Sequence, residues 1–247
     1  MWQGLVGWLR CTRRAGACRH RPRRSLQWTC KRAEGSGILV PPSRAFLVTA
    51  PAHVSPRVAS IDLVAPLDAW RSVGFAVDNG AAIDLGGTVV RWTNGNPCGI
   101  SAIGLTNIAD GFAGTHPSHE VHVEPPSGWG IDCVAVDHII VRARDPRDFL
   151  DQFARQVKST GTESNGEQSV RVGTIRFDVM AATDLETQWE FWGIAFLVRN
   201  LEALANMLGP EVLGAPKPAR QDGEIVATFR SGAGLCVPTA LMARVGK

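Results

Sequence analysis

The chain has 247 residues, 45% hydrophobic and 20% charged, which suits a globular protein with a real core. No apolar run reaches the roughly 18 residues a membrane-spanning helix needs, and tyrosine, a common general acid, is absent. The formal net charge of +3 hides an asymmetry: residues 1–57 hold eleven of the 26 Lys and Arg but one acid, Glu34, leaving 15 basic and 22 acidic residues in the rest, a net of −7. An acidic body of this kind is not expected to bind nucleic acid, and nothing in it asks for a membrane.

The Arg-rich opening, residues 1–57, also carries Cys11, Cys18, Cys30, Trp2, Trp8 and Trp28, without sustained helical or strand periodicity. A targeting or surface-binding segment is one reading. A disordered or spurious extension is favoured over it, because nothing downstream needs these residues for a core. The remaining cysteines, Cys98, Cys133 and Cys236, form no C-x-x-C pair. Reduced thiols in a cytoplasmic protein are therefore expected, with Cys236 a small buried thiol rather than a nucleophile.

From residue 58 to 108 the pattern becomes regular. "SIDLVAP" predicts a strand, "LDAWRSVG" a short helix, "FAVDNG" a strand closed by an Asn-Gly turn, and "AAIDLGG", "TVVRW" and "GISAIGLTNI" further strands. A Pro/Gly-rich connector follows over 109–130. Within it "HPSHEVHVE" gathers His116, His119, His122, Glu120 and Glu124. On a strand, Glu120, His122 and Glu124 would share a face while His119 points away, so a solvated linker strand is preferred to a metal site.

The pattern restarts at 131. "CVAVDHIIVRA" predicts a strand, and Asp145-Pro146 opens a helix with Phe149, Phe153 and Val157 on one face. "EQSVRV" and "GTIRFDVM" predict strands, then "WGIAFLV" another. Asn200 caps a second helix bearing Leu201, Leu204 and Leu208, stopped by Gly209-Pro210. "EVLG", "EIVATFR" and "GLCVPTALM" complete the set. A β-α-β-β-β unit thus recurs about three times in an α+β chain of curved mixed sheets. One unit alone leaves a sheet face and edge open, so three units point to a homodimer or a degenerate first unit.

Residues 131–243 resemble the vicinal oxygen chelate superfamily, which includes glyoxalase I, the bleomycin-resistance proteins and the extradiol dioxygenases. The resemblance rests on "VDHIIVRARDPRDFLDQF", "GTIRFDVM", "WGIAFLVRNLEALANMLG" and "VATFRSGAGLCVPTALM". Residues 58–108 resemble a weaker unit of the same kind. The resemblance implies a cleft with one metal ligand on each of four strands. Those positions match His138, Asp178, Gly193 and either Cys236 or Val237, so two of the four carry a ligand type. It therefore implies at most a weakly held divalent metal (Zn, Ni, Fe or Mn) on His138 and Asp178, and glyoxalase I activity is not expected.

Strand alternation puts His138, Ile140 and Arg142 on one face, and Arg176, Asp178 and Met180 on one face of a later strand. If both faces line the cleft, His138 and Asp178 form an acid–base pair in which the acid sets the imidazole tautomer. Arg142 and Arg176 could then clamp an anionic small molecule, with Trp192 as an aromatic wall and Trp189 equally suited to core packing. The plainer reading makes His138 a hydrogen-bonded core histidine and Asp178 the partner of an arginine. Two functions follow: an isomerase-, lyase- or dioxygenase-like enzyme with a reduced or absent metal centre, or a non-catalytic small-molecule binder of the bleomycin-resistance type.

Overall fold

The computed structural model describes residues 55–77, 82–108, 114–118, 131–158, 161–164 and 167–245. Most of the N-terminal extension, the Asn-Gly turn and the "EVHVE" strand lie outside them.

The first sheet is built from β1 (Arg57–Val64), β2 (Ala82–Asp84), β3 (Val89–Thr93), β4 (Gly99–Thr106) and β5 (Thr115–Pro117), with helix α1 (Leu67–Ser72) after β1. Its order is β2-β3-β1-β4-β5. The second sheet holds β6 (Cys133–Ala143), β7 (Gly161–Ser164), β8 (Glu167–Val172), β9 (Ile175–Ala181), β10 (Trp189–Val198), β11 (Lys217–Pro218), β12 (Glu224–Thr228) and β13 (Thr239–Arg244). Helix α2 (Pro146–Gln156) follows β6 and α3 (Leu201–Leu208) follows β10. The order here is β11-β12-β13-β10-β6-β9-β8-β7.

The second sheet is two copies of one unit joined along the antiparallel β6–β10 seam. In each copy the first strand runs parallel to the last, β6 with β9 and β10 with β13, and the other strands follow antiparallel. A crossover helix is what a parallel pair requires. Asp145 caps α2 by accepting from the Arg147 and Asp148 amides, each at 3.0 Å, and Asn200 caps α3 by accepting from Ala203 N at 2.9 Å. Each cap contributes about 1 kcal/mol. The predicted Phe149, Phe153 and Val157 face of α2 is buried, with the two rings stacked at 5.4 Å.

The first sheet repeats the middle of the second. Across β2-β3-β1-β4-β5 the pairings run antiparallel, parallel, antiparallel, parallel, as they do across β8-β9-β6-β10-β13. So β4 takes the place of a second unit's first strand, and β5, from the connector, takes the place of its last. The edge strands of this sheet are then β2 and β5. Phe75 and Val77, expected on a strand, sit in irregular backbone and are buried instead. "EVLG" makes only an isolated bridge, Leu213 to Phe229.

One hydrophobic core serves both sheets. Trp70, fully buried on α1, lies 4.8 Å from Phe75, 5.3 Å from Trp92 and 6.2 Å from Phe196 of β10. Its indole N–H donates to the Leu235 carbonyl at 3.1 Å. A disulfide between Cys98 and Cys236 makes a second tie, its Cα atoms 5.8 Å apart. The expectation of three reduced thiols is thereby corrected. The two cysteines are far apart in sequence and are joined only by the packing of the sheets, and a disulfide persists in oxidising surroundings, so cysteine usage gives no support to a cytoplasmic location. Cys133 stays free, its thiol pushed up by burial and further by Asp132. Among the described residues, no helix is long and apolar enough to cross a membrane.

Candidate functional site

A cavity of about 580 Å³ opens over β6 and β9 of the second sheet, within the roughly 300–1,000 Å³ usual for small-molecule sites. His138, Gln168, Arg176, Asp178 and Gln221 are among its polar lining, and Ile140, Met180, Val226 and Met242 among its apolar lining.

The register explains why the polar groups meet. His138 lies opposite Arg176, and Ile140 opposite Asp178, along the parallel β6–β9 pair. Cofacial alternation then points His138, Arg176 and Asp178 the same way. His138 Nε2 stands 4.0 Å from Asp178 Oδ2, and Arg176 Nε stands 2.6 Å from Asp178 Oδ1. The side chains are 13%, 16% and 30% exposed for His138, Arg176 and Asp178.

The acid that sets the His138 tautomer is Asp137, not Asp178 as expected. Along the β6–β10 seam Ala195 pairs with His138 and Phe196 with Val136, so Asp137 has no partner and forms a β-bulge. A bulge re-aims side chains, which lets neighbouring residues meet: His138 Nδ1 and Asp137 Oδ2 are 2.8 Å apart. The hydrogen bond from His138, with help from Arg176 and Arg171, holds the Asp137 carboxyl below the usual carboxylate range against the opposing effect of burial. An ionised carboxylate only accepts, so Nδ1 carries a proton in this contact, and Nε2 is left facing the cavity.

Of the other expected residues, Arg142 and Trp192 do not line the cavity. Arg142 pairs with Asp184 and with Glu190 at 2.9 Å and lies 6.0 Å from the Trp192 ring centre. Trp189 packs against Phe149 and Phe191 in the core. In the connector, His116 Nε2 lies 3.5 Å from Asp62 Oδ2; His119, Glu120, His122 and Glu124 fall outside the described residues. Sequence reasoning missed Asp137, though it stands beside His138 in "VDHII". It also missed Gln221, which no local signal marks.

The second half of the sheet corresponds residue by residue to the first. The spacing of the caps Asp145 and Asn200 also relates His138 to Gly193 and Asp137 to Trp192, and Trp192 is again an unpaired bulge residue. By the same spacing Ile140 corresponds to Ala195, which lies opposite Ala240. The counterpart of Asp178 is therefore Ala240, which corrects the match to Cys236 or Val237: both precede β13, and the Cys236 sulfur is bonded to Cys98. At Gly193 a Cβ would stand 2.9 Å from the Pro238 carbonyl oxygen, and that oxygen already accepts from Ile194 N at 3.0 Å. No ligand side chain fits there without moving backbone.

This donor set does not suit a divalent metal: His138 and Asp178 are two donors where such a site takes three or four protein ligands. Arg176 holds Asp178 with a fixed positive charge. Among the described residues no group of three His, Cys, Asp or Glu converges on any point.

Neither family models nor curated proteins show a match to this sequence. Solved structures do. One is a mutant of 4-hydroxymandelate synthase from Streptomyces coelicolor, 12% identical, covering 77% of this chain and 93% of that chain at a TM-score of 0.53. Another is a xylose isomerase-like TIM barrel/4-hydroxyphenylpyruvate dioxygenase fusion protein, 11% identical, covering 80% of this chain and 50% of that chain at 0.57. Methylmalonyl-CoA epimerase from Mycobacterium tuberculosis, 15% identical, overlaps 47% of this chain and 91% of its own at 0.39. With its two-unit sheet and these two extended likenesses, the chain has the vicinal oxygen chelate fold.

Proposed function

We propose that the chain binds a small molecule in the β6–β9 cavity and moves a proton on it with His138, in isomerase- or lyase-like chemistry that needs no protein-built metal centre. One observation carries this reading: the Asp137–His138 contact, which fixes the imidazole and leaves Nε2 facing the cavity beside Asp178. A neutral imidazole backed by a carboxylate is a general base suited to neutral pH. Asp178, tied to Arg176, stands 4.0 Å from the Nε2 that takes the proton. Ile140, Met180, Val226 and Met242 exclude water from the apolar part of the ligand.

Binding without chemistry is the second reading, of the bleomycin-resistance type. What favours it is the second half of the sheet, where Gly193, Ala195 and Ala240 bring no polar side chain to the site.

A thermal-shift screen of small molecules finds ligands, because occupancy at 100 times Kd adds about 2.7 kcal/mol of stability. Exchange of the ligand's carbon-bound hydrogen with D2O, followed by NMR, then separates the two readings. The enzyme reading expects exchange that His138→Asn abolishes while binding persists. Exchange that survives His138→Asn overturns the role of His138, and tight binding without exchange favours the binder.

A further inference from the structure

Arg176 is held on two sides by groups of different kinds. Its Nε lies 2.6 Å from Asp178 Oδ1 as an ion pair without hydrogen-bond geometry. Its Nη1 and Nη2 both donate to the Gln221 amide oxygen, Nη1 at 2.6 Å, with the amide turned so that its oxygen faces the guanidinium. Gln221 comes from the other half of the sheet, at the tip of the hairpin joining β11 to β12, which Ala219 N closes on Glu224 O at 2.9 Å. It therefore reaches across the cavity to the guanidinium edge that carboxylates take with two parallel hydrogen bonds. One neutral oxygen shared by two charged donors is a poor substitute for two carboxylate oxygens, each with its own donor.

Resting on the proposed cavity function, we propose that Gln221 is a placeholder, and that the ligand carries a carboxylate which displaces it from Arg176. A monocarboxylate fits better than a phosphate, because Asp178 already stands against the same guanidinium and would repel a dianion. The hairpin can give way: β11 is two residues long, and Lys217 and Pro218 on it are exposed, so local opening there is cheap. The rest of the ligand then lies on Val226 and Met242 of the same half.

Calorimetry on the full chain tests this with phenylacetate and hexanoate, their primary amides, and phenyl phosphate. The wild type binds the carboxylates roughly tenfold or more tighter than the amides, as expected of a desolvated charge-assisted pair, and tighter than the phosphate. Gln221→Ala tightens carboxylate binding about three- to tenfold by removing the competing acceptor, and Gln221→Leu, which keeps most of the bulk without the oxygen, does the same. Gln221→Glu, which places an internal carboxylate on Arg176, weakens it by at least about tenfold. A merely structural role for Gln221 gives losses in all three variants. Weaker or unchanged carboxylate binding in both Gln221→Ala and Gln221→Leu, with melting temperatures unaltered, overturns the inference. Amides binding as well as carboxylates overturns it while leaving the cavity function intact. If every probe fails on wild type and Gln221→Ala alike, while the screen above finds a non-carboxylate ligand, only the carboxylate assignment falls; if that screen fails too, both fall.

Discussion

The two halves of the eight-stranded sheet share one backbone plan and differ in what they turn toward the cavity. Each has a first strand parallel to its last, a crossover helix opened by a side-chain cap, and a bulge where the strands meet. In the first half the bulge pair is Asp137–His138; in the second it is Trp192–Gly193. Opposite them stand Asp178 in one half and Ala240 in the other. Backbone pairing is specified by alternation and packing, which many side chains satisfy. A ligand set needs particular atoms at particular distances. The fold therefore has a twofold plan while its polar groups are one-sided, and at Gly193 the Pro238 carbonyl builds the difference into the backbone.

The halves also differ in how deeply their helices are anchored, and this gives the largest expected effect. Helix α2 buries Phe149, Leu150 and Phe153, whereas α3 fully buries only Leu201 and leaves Met207 67% exposed. Phe153→Ala should destabilise by about 3–5 kcal/mol, while Met207→Ala should stay within about 0.5 kcal/mol; urea unfolding followed by circular dichroism measures both. Equal losses would mean the helices are equally anchored.

Gly193→His restores a ligand type at the second half's first-strand position and should fail to restore a site. The clash with Pro238 is expected to cost about 1–3 kcal/mol, with no gain in zinc affinity by calorimetry. A stable variant that gains tight zinc binding would show the second half to be open after all.

The smallest effect concerns Asp137 and is a matter of pH. Its pKa is depressed in the folded state, so the stability it contributes is fully present above the unfolded carboxylate value of about 3.9 and is lost as the pH falls through the lower folded value. Asp137→Asn should lower the urea midpoint at neutral pH by the equivalent of about 1–2 kcal/mol and flatten its fall at the acid end. An unchanged acid profile would remove Asp137 as the partner that fixes His138.

Much of this architecture is local and so was readable in the chain. Asp145-Pro146 followed by Phe149 and Phe153 specifies where α2 starts and which face it buries. The alternation in "DHIIV" and "IRFDV" puts His138 and Asp178 on matching faces once the two strands are known to be parallel neighbours. What was not readable depends on partners distant in sequence. The role of Asp137 exists only because pairing with β10 leaves it unmatched, and Gln221 reaches Arg176 from a hairpin on the other half. The Cys98–Cys236 bond needs both sheets in place, and the match of Asp178 to Ala240 needs the β10–β13 register. Short strands also do not announce their neighbours. So β4 reads as the end of one unit when its pairing with β1 makes it the beginning of another, and Phe75 and Val77 read as strand when the core takes them without a ladder.

Metal content tests the one-sided site most directly. The purified chain, incubated in turn with zinc, nickel, ferrous iron and manganese and then desalted, is measured by inductively coupled plasma mass spectrometry beside His138→Ala and Asp178→Ala. The prediction is far less than one equivalent of any of these metals in the wild type, and no difference from the variants. One equivalent retained by the wild type and lost in both variants would contradict it.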